Sequence, residues 1–69
     1  MFDVGFYIID YYGKAHYFKA IRTNMKPNKN DDVKINGIVY TVKETCIDYD
    51  DNSVHVFIVN KCVKLLKLR

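Results

Sequence analysis

The chain has 69 residues, with 11 basic and 8 acidic side chains and a formal net charge of +3. At this size a single hydrophobic core contributes only about 3–5 kcal/mol, so separately folded catalytic and cofactor lobes are excluded. Apolar residues make up 49% and charged residues 28%, a globular composition, and no uninterrupted apolar run approaches the roughly 18 residues that cross a bilayer. The opening Met1-Phe2-Asp3 lacks the basic and apolar regions of a secretory signal, so a cytoplasmic protein is expected.

The side chains favour strands. There are 8 Val, 7 Ile and 3 Thr against 3 Leu, 2 Ala, 1 Glu and no Gln, and β-branched residues suit pleated, half-buried surfaces better than helices. A second bias concerns origin. Phe, Tyr, Met, Ile, Asn and Lys supply 34 residues, whereas Gly, Ala, Arg and Pro supply 8; the first six have AT-rich codons, which points to a low-GC bacterium or its phages and plasmids.

In chain order, the first predicted element is a hairpin closed by Asp10-Tyr11-Tyr12-Gly13. Asp at the first turn position and Gly where φ must be positive are the signature of a type I turn followed by a bulge. This register sets Ile8 against His16, Phe6 against Phe18 and Val4 against Ala20 on a core face. The opposite face then carries Ile9 beside Ala15, Tyr7 across from Tyr17, and Gly5 across from Lys19. His16 is expected to be partly buried at the sheet edge. Residues 23–31, polar and containing Pro27, read as a surface connection.

The second hairpin turns on Asn36-Gly37, since both central residues of a type I′ turn need positive φ. It sets Ile35 against Ile38 and Val33 against Tyr40 on the core face. The third turns within Asp50-Asp51-Asn52-Ser53, pairing Tyr49 with Val54, Ile47 with Val56 and Thr45 with Ile58. A phase conflict follows: Ile38, Tyr40 and Val42 are even-numbered, whereas Ile47 and Tyr49 are odd. A strand cannot change faces without an extra residue, so a bulge or bend is expected between Lys43 and Cys46. The predicted fold is all-β, a five-stranded, partly open small barrel built from three overlapping hairpins across residues 1–69; the tail from Lys61 to Arg69 reads as a strand closing its edge in preference to a short amphipathic turn.

The stretch Asn30-Asp-Asp-Val-Lys-Ile-Asn-Gly-Ile-Val-Tyr-Thr-Val42 resembles the phrase Gly-Asp-x-Val-x-Ile-x-Gly-x-x-Tyr-x-Val of SH3-like small barrels, several of which occur in phage and mobile-element proteins. It covers about a fifth of the chain. Asn30 stands where such barrels usually carry Gly. The resemblance implies architecture and no particular activity, because these barrels serve nucleic-acid binding, protein docking and virion assembly alike.

Candidate chemistry is sparse. Asp48-Tyr49-Asp50-Asp51-Asn52 begins like a calcium loop, but Ser53 replaces the required glycine and Val59 the bidentate glutamate, so an acidic hairpin turn is the better reading. Cys46 and Cys62 have no zinc spacing and read as thiols packed as small hydrophobes. His55, placed opposite Asp48, reads as one half of a surface ion pair rather than a general base, since no nucleophile stands at an elbow. The three glycines are too dispersed to cradle phosphate. No catalytic residue, cofactor or metal site is expected, and the protein is read as non-enzymatic.

Six tyrosines and four phenylalanines exceed what so small a core can bury. The registers leave Tyr7, Tyr11, Tyr12 and Tyr17 at least partly exposed, beside Lys14 and Lys19. Tyrosine gives large contact area at low entropic cost, which is why it concentrates at interfaces. These six residues are the expected partner-binding face, with a host protein as first partner and a phage- or plasmid-encoded inhibitor of a host or defence enzyme as the corresponding function. The alternative is a single-stranded nucleic-acid-binding barrel, with Lys14, Lys19, Arg22, Lys26 and Lys29 holding phosphates. Against it, Glu44, Asp48, Asp50 and Asp51 form an acidic end, although Lys61, Lys64, Lys67 and Arg69 make the tail basic. Homodimerisation by edge pairing is a third possibility, and no membrane partner is expected.

Overall fold

In the computed structural model, which describes residues 1–61, five strands form one curled sheet, an open half-barrel. They are β1 (Phe2–Ile9), β2 (Ala15–Thr23), β3 (Asp32–Ile35), β4 (Ile38–Asp48) and β5 (Ser53–Asn60). The spatial order is β2-β1-β5-β4-β3. All neighbours are antiparallel except β1 and β5, which run parallel in the centre. Of the expected tail strand, Lys61 to Arg69, only Lys61 is among the described residues, and it lies beyond the end of β5. No helix among the described residues is long and apolar enough to cross a membrane.

Turn chemistry sets the three hairpins. Gly13 (φ 84°) donates its amide to the Asp10 carbonyl at 3.0 Å, closing the expected turn and bulge. The Asp10 carboxylate adds bonds from the Tyr12 and Lys14 amides, both at 2.9 Å. Asn36 (φ 54°) and Gly37 (φ 83°) both occupy the left-handed region, as a type I′ turn requires. Asn30, where glycine was expected, also lies there at φ 77°, a conformation asparagine tolerates better than most residues.

The concave side holds the core. Val4, Val42, Val56 and Ile58 are fully buried, Phe6, Ile35, Tyr40 and Val54 nearly so, and Phe2, Ile8, Phe18 and Val33 pack against them. Alternation in β5 is complete: Val54, Val56 and Ile58 face in while His55 and Phe57 face out. The curl is tight enough that the Phe18 ring on β2 meets the Tyr40 ring on β4, with centroids 5.9 Å apart.

Two bulges reset the registers. The expected extra residue in β4 is Lys43, between the Val42–Ile58 and Glu44–Phe57 pairs. A second, unexpected one lies in β2, where Tyr17 faces Tyr7 but Lys19 faces Phe6, leaving Phe18 as the extra residue. Phe6 therefore does not pair with Phe18, nor Val4 with Ala20; Ala20 lies opposite Gly5 and Ile21 opposite Val4. His16 is exposed rather than half-buried and binds the Asp10 carboxylate at 2.8 Å.

The third turn also differs from expectation. The Asp48 carboxylate accepts the amides of Asp50 (3.0 Å) and Asp51 (3.2 Å), and Asn52 turns the chain at φ 55°. This capped loop spans four residues, so Asp48 pairs with Ser53, Ile47 with Val54 and Thr45 with Val56. Tyr49 is consequently 88% exposed, not core, and Ile47 and Ile38 are also exposed. Ile38 pairs with Ile35 as expected, yet sits at the sheet's end where only Ile35 is covered.

Because Ile58 is fully buried at the junction of β4, β5 and β1, Ile58→Ala is expected to cost about 2–5 kcal/mol. Urea unfolding checks this; a loss below about 1 kcal/mol would contradict a packed half-barrel core.

Candidate functional site

The convex side of the sheet presents cross-strand rows that the parallel β1–β5 pairing assembles from four strands. One row runs Tyr17, Tyr7, Phe57 and Glu44; the next runs Ala20, Gly5, His55 and Cys46. Tyr7 and Tyr17 meet edge to face with centroids 5.6 Å apart, and Tyr7 stacks on Phe57 at 5.2 Å with a 28° tilt. Such pairs add about 0.5–1.5 kcal/mol beyond burial. Tyr7 and Phe57 are half-buried in this row, whereas Tyr17 remains 64% exposed at its end.

The second row contributes a polar thread. Gly5 has no side chain to occupy the surface beside Tyr7, whose ring lies within van der Waals reach of the place a Cβ would take. The Tyr7 hydroxyl and His55 Nδ1 are 3.1 Å apart, and His55 Nε2 stands 3.7 Å from Asp48 Oδ2. His55 thus pairs with Asp48 diagonally, while its direct cross-strand partner is Cys46. Both ring nitrogens face polar neighbours, which fixes the imidazole in place. The amides of Asp51 and Asp50, together with His55, hold the Asp48 carboxyl below the ordinary aspartate range.

The remaining predicted residues lie elsewhere. Tyr11 and Tyr12 occupy the exposed tip of the first hairpin, their rings edge to face at 5.5 Å, and Lys14 follows them. The tip is rigidified by Asp10, whose carboxyl is held low first by His16 and then by the Lys14 and Tyr12 amides. The β2 bulge removes Lys19 from the row of Tyr7 and Tyr17, because it lies opposite Phe6 instead of Gly5. The six residues therefore form two groups, a mid-sheet pair and a loop tip, and not one continuous tyrosine-lysine face.

Sequence reasoning missed Phe57 and the position of Cys46. The alternation of Val54, Val56 and Ile58 against His55 and Phe57 was enough to set the latter outward, but only the β1–β5 pairing brings them beside Tyr7. Cys46 is an exposed free thiol rather than a packed one, since it shares the convex row with His55. Cys62 lies outside the described residues. Compared with known proteins, the chain matches no family model, no curated protein and no solved structure.

Two outcomes follow. Tyr7→Phe should lose about 0.5–1.5 kcal/mol through the hydroxyl–imidazole bond, measured by denaturant unfolding, while leaving the ring stack intact; an unchanged stability would show that bond to be dispensable. Asp10 and Asp48 both have depressed native pKa values, so each contributes stability that is present above the unfolded-state value of about 4 and lost as pH falls through the lower native one. Carboxyl titration by NMR should place both midpoints below that of free aspartate; midpoints at or above it would refute the capping arrangement.

Proposed function

We propose that the protein is a non-enzymatic docking module that holds the surface of another protein through its convex aromatic row. The observation that carries this reading is the Tyr17–Tyr7–Phe57 row, a preorganised aromatic strip with its terminal ring 64% exposed. Rigid rings already packed on a sheet lose little entropy on binding, and buried tyrosines are frequent energetic centres of interfaces. Mixed charge, with six of eight acidic residues between Asp31 and Asp51, suits a protein partner better than a strand of phosphates wrapping the domain. The AT-rich coding bias supports a source among phages or plasmids of low-GC bacteria and, as partner, a host or defence enzyme that the module inhibits by occupancy.

The test is affinity capture from a low-GC bacterial lysate, with and without nuclease, using the wild-type chain and Tyr17→Ala. A protein retained after nuclease, and weakened about tenfold by loss of the Tyr17 ring, is the expected result. Loss of every partner after nuclease would indicate nucleic acid instead. Capture that is indifferent to Tyr17→Ala in a normally folded variant would refute the aromatic row as the docking surface.

A further inference from the structure

The sheet has two unequal edges. On one, β3 is four residues long; on the other, β2 runs nine residues with no strand beyond it among the described residues. On either side of the Phe18 bulge this edge presents unpaired backbone donors and acceptors, a template for another strand. Its charge is one-sided. From Tyr11 to Thr23 the chain carries Lys14, Lys19 and Arg22 and not one acidic residue, and the neighbouring Asp10 is taken up by His16. Arg22 shares an exposed ion pair with Asp3, and Lys26 lies 5.9 Å from the centre of the Phe2 ring. Lys14 and Lys19 have no ion-pair partner among the described residues.

That pattern selects among possible occupants. A second copy of β2 would bring Lys19 and Arg22 against their like, which costs rather than stabilises. Residues 62–69 carry Lys64, Lys67 and Arg69 and no acid, so this chain's own tail has the wrong sign as well. Single-stranded nucleic acid has the right charge, but its backbone lacks the alternating N–H and C=O groups that extend a ladder. An extended acidic polypeptide meets both requirements, and exposed Tyr17 offers its side chains a cross-strand neighbour.

We propose that β2 is a strand-addition site whose occupant is an extended, acidic segment of a partner protein, added to the sheet as a sixth strand. This rests on the docking function above and names the partner's chemistry. Backbone bonds along β2 supply affinity, the lysines select for carboxylates, and Tyr17 joins the added strand to the convex aromatic row.

The experiment titrates the isotope-labelled full chain with a twelve-residue peptide of alternating Glu and Val and follows backbone amides by NMR. Three further probes are used: the same peptide with alternate amides N-methylated, its Lys-Val counterpart, and a twelve-nucleotide oligo-dT. The Glu-Val peptide should shift the amides of Ala15–Thr23 and slow their hydrogen exchange. Affinity should fall about tenfold for the N-methylated and Lys-Val peptides, and likewise for the folded Lys14→Glu/Lys19→Glu chain. Equal binding of the N-methylated peptide would overturn the proposal by showing charge attraction without strand addition. So would tighter binding of oligo-dT, self-association through β2, shifts confined to other strands, or no response to any probe. Tyr17-dependent capture of a protein from lysate, combined with any of those outcomes, would leave the docking function standing and remove only the strand-addition site.

Discussion

The parallel pairing of β1 with β5 is the constraint on which the rest of this structure depends. Without it the chain is a hairpin and a separate three-stranded meander, each with only one face to bury. Every pair in that ladder, from Asp3–Ser53 to Ile8–Ile58, joins residues 50 positions apart along the chain, and closing such a loop costs about 3–4 kcal/mol in chain entropy. Val4, Val56 and Ile58 are each fully buried at this seam, and burial of one such side chain contributes about 1.5–3 kcal/mol. Burial on the concave face of the seam is therefore enough to offset its closure.

The same pairing creates the convex surface. It places Phe57 beside Tyr7, and the β1–β2 hairpin places Tyr17 on the other side, so three rings from three strands form one strip. Tyr7 passes beside Gly5 to reach His55, and His55 reaches Asp48, which also caps the acidic turn. One polar thread thus links the centre of the sheet to the end of a hairpin. The strip is half structural: Tyr7 and Phe57 shield the thin sheet, while Tyr17 leaves ring surface open.

The bulges show how one extra residue redistributes function over a sheet. Side chains alternate with period two, so an inserted residue exchanges the faces of everything beyond it. In β4 the extra Lys43 lets Val42, before it, and Thr45, after it, lie over the same concave side as their buried β5 partners Ile58 and Val56. In β2 the extra Phe18 adds a ring to the core and takes Lys19 out of the Tyr7–Tyr17 row. What remains on β2 is a long outer edge whose own charges, Lys19 and Arg22, are basic, separated in the strand order from the acidic residues of β3 and β4.

By itself the sequence determined the strand content, the first two turns, the place but not the register of the third, and the presence of a bulge near Lys43. Each rests on local chemistry: β-branched side chains, Gly13 and Asn36-Gly37 at positive φ, and alternation that changes phase. It also identified Tyr7 opposite Tyr17, since that pair lies on the turn side of the β2 bulge. Tertiary structure decided the parallel β1–β5 junction, the places of Phe57, His55 and Cys46, and the bulge at Phe18. Pairing of distant strands is selected by shape and burial summed over the whole sheet, and the Phe18 bulge by a ring finding Tyr40 across a curled core. No window of neighbouring residues contains those energies.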